Sequence, residues 1–454
     1  MSKLKTLYTC TNCQYGTPKW LGCCPECNEW NSFVESTPQT ITQTVATSQT
    51  KIQLKRLSEV SSRYRERLQT GIHEWDRVLG GGIMPGSFIL LTGDPGIGKS
   101  TLLLQIAYAI AQGHKVIYFS SEESLEQVKS RAERTIGSPD NLLFADTAEI
   151  ESIIATAVAE KPILLIIDSI QNCYFAQTQA IPGSVGQLRE SGFRFMRLAK
   201  ENNIALIATG HITKEGVIAG PKTLEHMVDA VFYLQGEDRW ETRILRSVKN
   251  RFGAVHEVGF FQMGHDGLVE MADINEKLVQ EASFSPGSSL ISYTEGSRPI
   301  LLELQALTIP SKFGVPQRVI TGADHKQVML IAAILEKYLG VRFSTQDIFF
   351  KVSGGFKIKE SSADLGIALA LLSSYFQQPL PQKSLTVGEM SLTGNIKAVN
   401  ELSIHLQEAV KFGIQTLLTA ETQKIKREAV HSLRQFSNVY ELLTLFDINS
   451  NNNQ

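Results

Sequence analysis

The stretch Gly93-Asp94-Pro95-Gly96-Ile97-Gly98-Lys99-Ser100 decides how the rest of this chain is read. It matches G-x-x-x-x-G-K-[ST] at every fixed position. An apolar run at residues 88–92 precedes it and a helical pattern over 100–111 follows, which is the context the motif requires. Glycines at these spacings let backbone N–H groups converge on phosphate oxygens. Lys99 is placed to reach the β- and γ-phosphates of ATP, and the Ser100 hydroxyl to reach Mg²⁺. Gly93 to Ser100, with Thr101, are the expected nucleotide-binding residues.

Outward from that loop, short apolar runs at 88–92, 116–120, 163–168 and 204–209 alternate with helical patterns. That rhythm is βαβ and predicts an α/β domain over 51–273, with a mainly parallel sheet covered on both faces. Asp168 ends the third run, so it lies at the carboxyl end of a buried strand, beside the nucleotide crevice. It is the second residue expected to hold Mg²⁺, directly or through water. Glu122 and Glu123 follow the run at 116–120. One of them, Glu122 by preference, is read as the general base that polarises the attacking water; otherwise both are solvated acids at a helix start. His211 stands where a polar side chain senses the γ-phosphate, or is merely structural.

Two basic features follow. Residues 214–222, KEGVIAGPK, form a glycine-rich loop carrying Lys214 and Lys222, suited to gripping nucleic acid or simply solvated. Lys249 and Arg251 are two apart, so a strand points both to one side. Two cations there suit phosphate charge supplied by a neighbouring subunit.

The amino-terminal 35 residues are of another kind. Cys10-x-x-Cys13 and Cys24-x-x-Cys27 are two knuckles, the four soft ligands of a tetrahedral Zn²⁺ site. So short a segment builds little apolar core, so metal binding supplies much of its folding free energy. Trp20, Leu21, Trp30 and Phe33 are the expected remainder of that core. Cys23 is one thiol in excess. Residues 36–50 read as a linker, and a second break falls near 283–289. The part from 285 onward mixes strands (300–309, 348–353, 385–392) with helices (325–339, 361–376, 401–412, 422–435).

Composition narrows the classes. Of 454 residues, 43% are apolar and 20% charged, which excludes a disordered or fibrous chain. A net charge of −2 excludes a protein held to nucleic acid by its overall field, but not one with local basic loops. No apolar run reaches the roughly 18–20 residues of a membrane helix, and the first residues lack a secretory apolar core. A cytoplasmic protein with no membrane partner is expected.

The lead-in Thr70-Gly-Ile-x-Glu-x-Asp-Arg-Val-Leu-Gly-Gly-Gly82, then Pro85-Gly-Ser87 and the P-loop, resembles the start of a RecA-type ATPase core. With the four-cysteine terminus and Lys249-Asn-Arg-Phe-Gly253, the chain resembles the bacterial RadA (Sms) family over nearly its whole length. The resemblance implies a RecA-like core that assembles into hexameric rings. It implies hydrolysis of ATP, movement on single-stranded DNA, and branch migration on branched DNA beside the recombinase RecA. It carries functional roles onto Lys249 and Arg251, and it makes residues 285–454 similar to a Lon-protease domain. In the Lon pattern the nucleophile position falls on Ala363 and the base position on Ser403, with no lysine from 398 to 410. A non-proteolytic α+β scaffold is therefore expected. The family usually has a basic residue where this chain has Cys23. The rival readings are an ATP-gated assembly or signalling protein indifferent to DNA, and an ATP-dependent protease.

Overall fold

The computed structural model describes residues 7–12, 15–25, 29–36, 66–135, 140–176, 182–211, 224–236, 242–255, 257–271, 273–312, 314–425 and 431–447. One compact unit runs through to Glu270 and a second begins at Met271.

The first unit opens with a small antiparallel sheet of β1 (Leu7–Cys10), β2 (Gly16–Thr17) and β3 (Phe33–Ser36), ordered β2-β1-β3. Its buried hydrophobic residues are Cys10, Cys24 and Phe33, with Tyr8 packed against them. The other three residues expected in this core are not in it. Trp20 is 52% exposed and Trp30 73%, and Leu21 also faces solvent. A knuckle held through its thiols closes without burying large rings.

After α1 (His73–Leu79), the chain runs β4 (Phe88–Gly93), α2 (Lys99–Ala111), β5 (Val116–Ser120), α3 (Leu125–Thr135), β6 (Leu142–Ala145), α4 (Ile150–Glu160), β7 (Leu164–Asp168), α5 (Val185–Asn202) and β8 (Ala205–His211). Then follow β9 (Ala230–Gly236), β10 (Thr242–Asn250), β11 (Val258–Gly264) and β12 (Gly267–Glu270). These strands form one nine-stranded sheet, ordered β12-β11-β10-β9-β4-β8-β7-β5-β6. The six strands from β9 to β6 are parallel, and the last three join antiparallel. Strands β4, β5 and β7 are buried along their whole length, because helices cover both faces. One core lies under α2 (Leu102, Leu103, Ile106), the other under α4 and α5 (Ile153, Leu188, Phe195). Each such fully buried side chain contributes about 1.5–3 kcal/mol. The chain leaves β4 for β5 across α2, skipping β8 and β7, so a crevice opens at the carboxyl ends of these strands. This is the RecA-like P-loop core that the resemblance implies.

The lead-in motif explains itself here. Asp76 accepts from the Thr70 N–H (2.9 Å), the Thr70 hydroxyl (3.0 Å) and the Gly71 N–H (3.1 Å), fixing the approach to α1. The turn after α1 is clasped by the end of β10 and the residues that follow it. Asn250 donates to the carbonyls of Val78 and Leu79 (3.3 Å each), and a Cβ on Gly253 would lie 3.0 Å from the Gly80 Cα.

The second unit contains α6 (Ile274–Glu281), β13 (Ser288–Glu295), β14 (Arg298–Pro310), β15 (Arg318–Thr321), α7 (His325–Leu339), β16 (Gln346–Val352), α8 (Asp364–Phe376), β17 (Ser384–Val387), β18 (Glu389–Met390), β19 (Ile396–Lys397), α9 (Leu402–Lys411), β20 (Thr416–Ala420) and β21 (Ser432–Phe436). Its seven-stranded mixed sheet is ordered β15-β16-β14-β13-β17-β20-β21. Helix α6 belongs to this unit: Asn275 donates to the Pro299 carbonyl (2.9 Å) and accepts from the Leu301 N–H (2.8 Å). The arrangement is α+β, as expected. One expected helix is replaced. In the segment 422–435, the described end is strand β21, paired in parallel with β20. The free edge of β20 offers backbone partners that outweigh the local helical pattern.

Candidate nucleotide site

The carboxyl ends of β4, β5 and β7 bring together residues far apart in sequence. Gly93 leaves β4 with φ +153°, and a Cβ there would lie 2.2 Å from the Leu234 carbonyl oxygen. No other residue fits. Ile97 is buried and anchors the loop in the core, while Asp94, Pro95 and Gly96 face solvent. Helix α2 then begins, and the N–H groups of its first turn have no intrahelical acceptor. With the positive helix end they form a natural anion cradle, lined by Gly98, Lys99, Ser100 and Thr101.

Lys99 is 5% exposed. Its amine donates to the loop carbonyls of Gly93 (2.9 Å) and Asp94 (3.0 Å). Burial pulls its pKa down, and the nearby carboxylates of Asp168, Glu122 and Asp94 oppose that shift. Its charge therefore sits among carboxylates, at the mouth of the cradle.

Asp168 is buried at the end of β7. One carboxylate oxygen accepts from the Tyr118 hydroxyl and the other from the Thr209 hydroxyl, each at 2.6 Å. Burial, and then the charge of Asp168, push the Tyr118 phenol well above its ordinary pKa, so it remains a donor. Neither Tyr118 nor Thr209 was expected from sequence, where each reads as ordinary strand filling. A cis peptide bond joins Asp168 to Ser169. The Ser169 hydroxyl donates to Glu122 at 2.5 Å, so Glu122 lies on the Asp168 side. Glu123 instead forms an ion pair with Arg131 of α3. The donor set fits Mg²⁺: a hard cation takes oxygen ligands, and Ser100 and Asp168 supply a hydroxyl and a carboxylate. Arg243, also absent from the sequence reading, donates to the Ile97 carbonyl (3.2 Å) and clips the loop to β10.

Lys249 and Arg251 lie elsewhere on the same sheet. Asn250 pairs with Ala230, and Ala230 with Ile89, whereas the P-loop leaves the sheet at Gly93. The two cations are thus at the amino-terminal end of β4, about 13 Å of strand from the loop. Lys249 donates to the carbonyls of Glu225 and Val228, the latter at 2.8 Å. Burial, then the charge of Arg251, pull its pKa down. Arg251 is 60% exposed and only loosely paired with Asp229, at 3.5 Å. The other oxygen of Asp229 is taken by Lys200 at 2.5 Å and the Phe88 N–H at 3.0 Å. A bulge between Ser247 and Lys249 shifts the register, and Arg251 falls beyond the strand end. Lys249 lies in the strand and Arg251 just beyond its end, so the two are not alternate residues of one strand.

Some expectations fall outside the described residues: the loop 214–222, the His211 side chain, and Cys13 and Cys27. Cys10 and Cys24 are fully buried in one small core. Their chemistry fits Zn²⁺, although no group of three potential metal ligands occurs among the described residues. In the second unit Ala363 is buried just before α8, and Ser403 is exposed on α9. Ser362 donates to Glu360 (3.2 Å), and among the described residues no lysine bonds to Ser361 or Ser362.

Three family models match separate stretches of the chain. Residues 8–35 match the family model of a rubredoxin metal-binding domain, 55–217 that of an AAA domain, and 313–423 that of subunit ChlI of Mg-chelatase. Among solved structures, the RadB recombinase is 22% identical, covering 45% of this chain and 99% of that one, with a TM-score of 0.37. The DNA repair protein RadA of Listeria monocytogenes is 43% identical over 420 residues, 92% of each chain. RadA of Bacillus subtilis is 41% identical over 426 residues, 92% of this chain and 93% of that one. RadA of Streptococcus pyogenes serotype M1 is 44% identical over 424 residues, 91% of this chain and 92% of that one. With that identity sustained over both chains, the protein belongs to the RadA family of DNA-repair proteins.

Proposed function

We propose that this chain is a DNA-dependent ATPase that moves on single-stranded DNA and promotes branch migration on branched DNA during recombinational repair. It works as a homo-oligomeric ring, a hexamer by its family resemblance, in the cytoplasm and beside the recombinase RecA. The observation that carries the reading is the separation of the two basic sites on one sheet. The P-loop end holds a phosphate cradle with its carboxylates. The opposite end holds Lys249 and Arg251, too far away to serve the same nucleotide.

ATP is held by Gly93 to Thr101, with Lys99 at its β- and γ-phosphates. Mg²⁺, when bound, neutralises phosphate charge, and Ser100 and Asp168 would hold it. Glu122, placed beside Asp168 by Ser169, accepts the proton of the attacking water. Lys249 and Arg251 stabilise charge on a neighbouring copy's nucleotide, the role of an arginine supplied in trans. Cys10, Cys13, Cys24 and Cys27 hold a structural Zn²⁺ in the amino-terminal ribbon.

The test is hydrolysis by the purified chain with and without single-stranded DNA over a salt series, with Lys99→Ala as the blank. The rate rises with DNA, and the rise fades as salt increases, because phosphate contacts release counterions. A rate indifferent to DNA at every salt concentration overturns the motor reading and favours an ATP-gated assembly. The net charge of −2 leaves room for that second reading, because no global basic field draws DNA to the chain.

A further inference from the structure

Asp168 is straddled. Strand β7 lies between β8 and β5, and the register sets Asp168 beside Ser120 on one side and one residue beyond the Ile167–Ala208 pair on the other. Tyr118 reaches it from β5 and Thr209 from β8, and both residues are almost fully buried. Each hydroxyl donates at 2.6 Å, to opposite oxygens of the one carboxylate. Bonds of that length to an ionised acceptor are of the strong, charge-assisted kind.

The chemistry of Tyr118 sharpens the point. Its ring packs in the core with Phe144, centroids 5.4 Å apart, where a phenylalanine would fill the same space. A buried hydroxyl costs free energy unless it is bonded, and this one is spent on Asp168. Two donors on two oxygens fix both the tilt and the rotation of a carboxylate, which a single donor cannot do. One lone-pair direction remains on each oxygen.

We propose that Tyr118 and Thr209 are positioning residues for magnesium: they hold the Asp168 carboxylate in the one orientation in which it meets the metal of the bound nucleotide. Outer partners of this kind orient a ligand, and losing one typically costs about 10–100-fold in metal affinity. The inference rests on the reading of Asp168 as a Mg²⁺ ligand.

The experiment uses full-length Tyr118→Phe, Thr209→Val and Thr209→Ser variants. Binding of a fluorescent ATP analogue is followed across a Mg²⁺ titration and, separately, in excess chelator. For Tyr118→Phe and Thr209→Val the half-saturating Mg²⁺ concentration rises about 10-fold or more, while metal-free nucleotide binding stays at the wild-type level. Thr209→Ser keeps the donor and restores the wild-type value. Both changes together raise the requirement by less than the product of the two, because they act on one group. Lower melting temperatures with an unchanged Mg²⁺ requirement would mean that the hydroxyls only brace the sheet, and the proposal falls. Asp168→Asn separates the two ideas: if it too leaves the Mg²⁺ requirement unchanged, the underlying ligand reading has failed.

Discussion

The two ends of the nine-stranded sheet each hold a lysine against backbone carbonyls, but the strongest charged neighbours of the two lysines are opposite in sign. Lys99 rests on Gly93 and Asp94, and Lys249 on Glu225 and Val228. Burial lowers both pKa values. Around Lys99 the charged neighbours are carboxylates, which support the ammonium. Beside Lys249 the strongest charge is Arg251, which works against it, with Glu225 and Asp229 opposing. On the proposed reading, the first end is a balanced site that needs only nucleotide and metal. The second is a cation pair whose repulsion an arriving anion would relieve. If that anion comes from another chain, as proposed, the contrast predicts which variants should rescue each other.

The largest effect tests that division. Lys99→Ala and Arg251→Ala each abolish hydrolysis, the latter by about 10³-fold or more if the arginine acts in trans. Mixed in equal amounts before assembly, the two inactive proteins regain activity, because roughly a quarter of the head-to-tail junctions join an intact P-loop to an intact Arg251. A mixture as dead as its components would place both residues in service of the same chain. A smaller effect follows from geometry alone. Arg251→Lys keeps the charge and loses the planar fork, so kcat drops by about 10–100-fold with nucleotide binding retained. A wild-type rate would reduce the second end to a surface charge.

The first end was the more legible in sequence, for a physical reason. The P-loop must be contiguous, because successive N–H groups have to wrap one phosphate, and Asp168 must end a buried strand to reach the crevice. Both leave a local trace. Tyr118 and Thr209 leave none: a tyrosine or threonine inside an apolar strand looks the same whether its hydroxyl has a task or not. The task appears only when strand order sets β5 and β8 on either side of β7. Lys249 and Arg251 were legible as a pair, but the bulge at Ser247–Lys249 changed how they meet. Trp20 and Trp30 were misread because apolar rings ordinarily mark a core, whereas the small core here is made by Cys10, Cys24 and Phe33. In the second unit, 422–435 was misread because its pattern is helical while the exposed edge of β20 lies out of sight of any local window.

The smallest effect is a slope, and it asks whether Lys249 and Arg251 are coupled at all. In the unfolded chain the Lys249 amine titrates at its ordinary 10.5; in the fold its pKa is lower. Between those two values the unfolded chain binds more protons, so stability rises with pH across the window, and below it the fold carries the full cost of the charged amine. Lys249→Met removes that slope, while the remaining lysines contribute equally to both proteins. The melting temperature of the wild type relative to Lys249→Met therefore climbs as pH approaches 10.5. Arg251→Gln removes the second cause of the lowered value, and the climb shrinks and moves to higher pH. An anion that satisfies both cations should do the same without any substitution, so millimolar pyrophosphate flattens the wild-type slope while leaving Lys249→Met unmoved. If the difference is flat with pH, or indifferent to Arg251, the two cations do not sense each other. The contrast between the two ends would then rest on the mixing experiment alone.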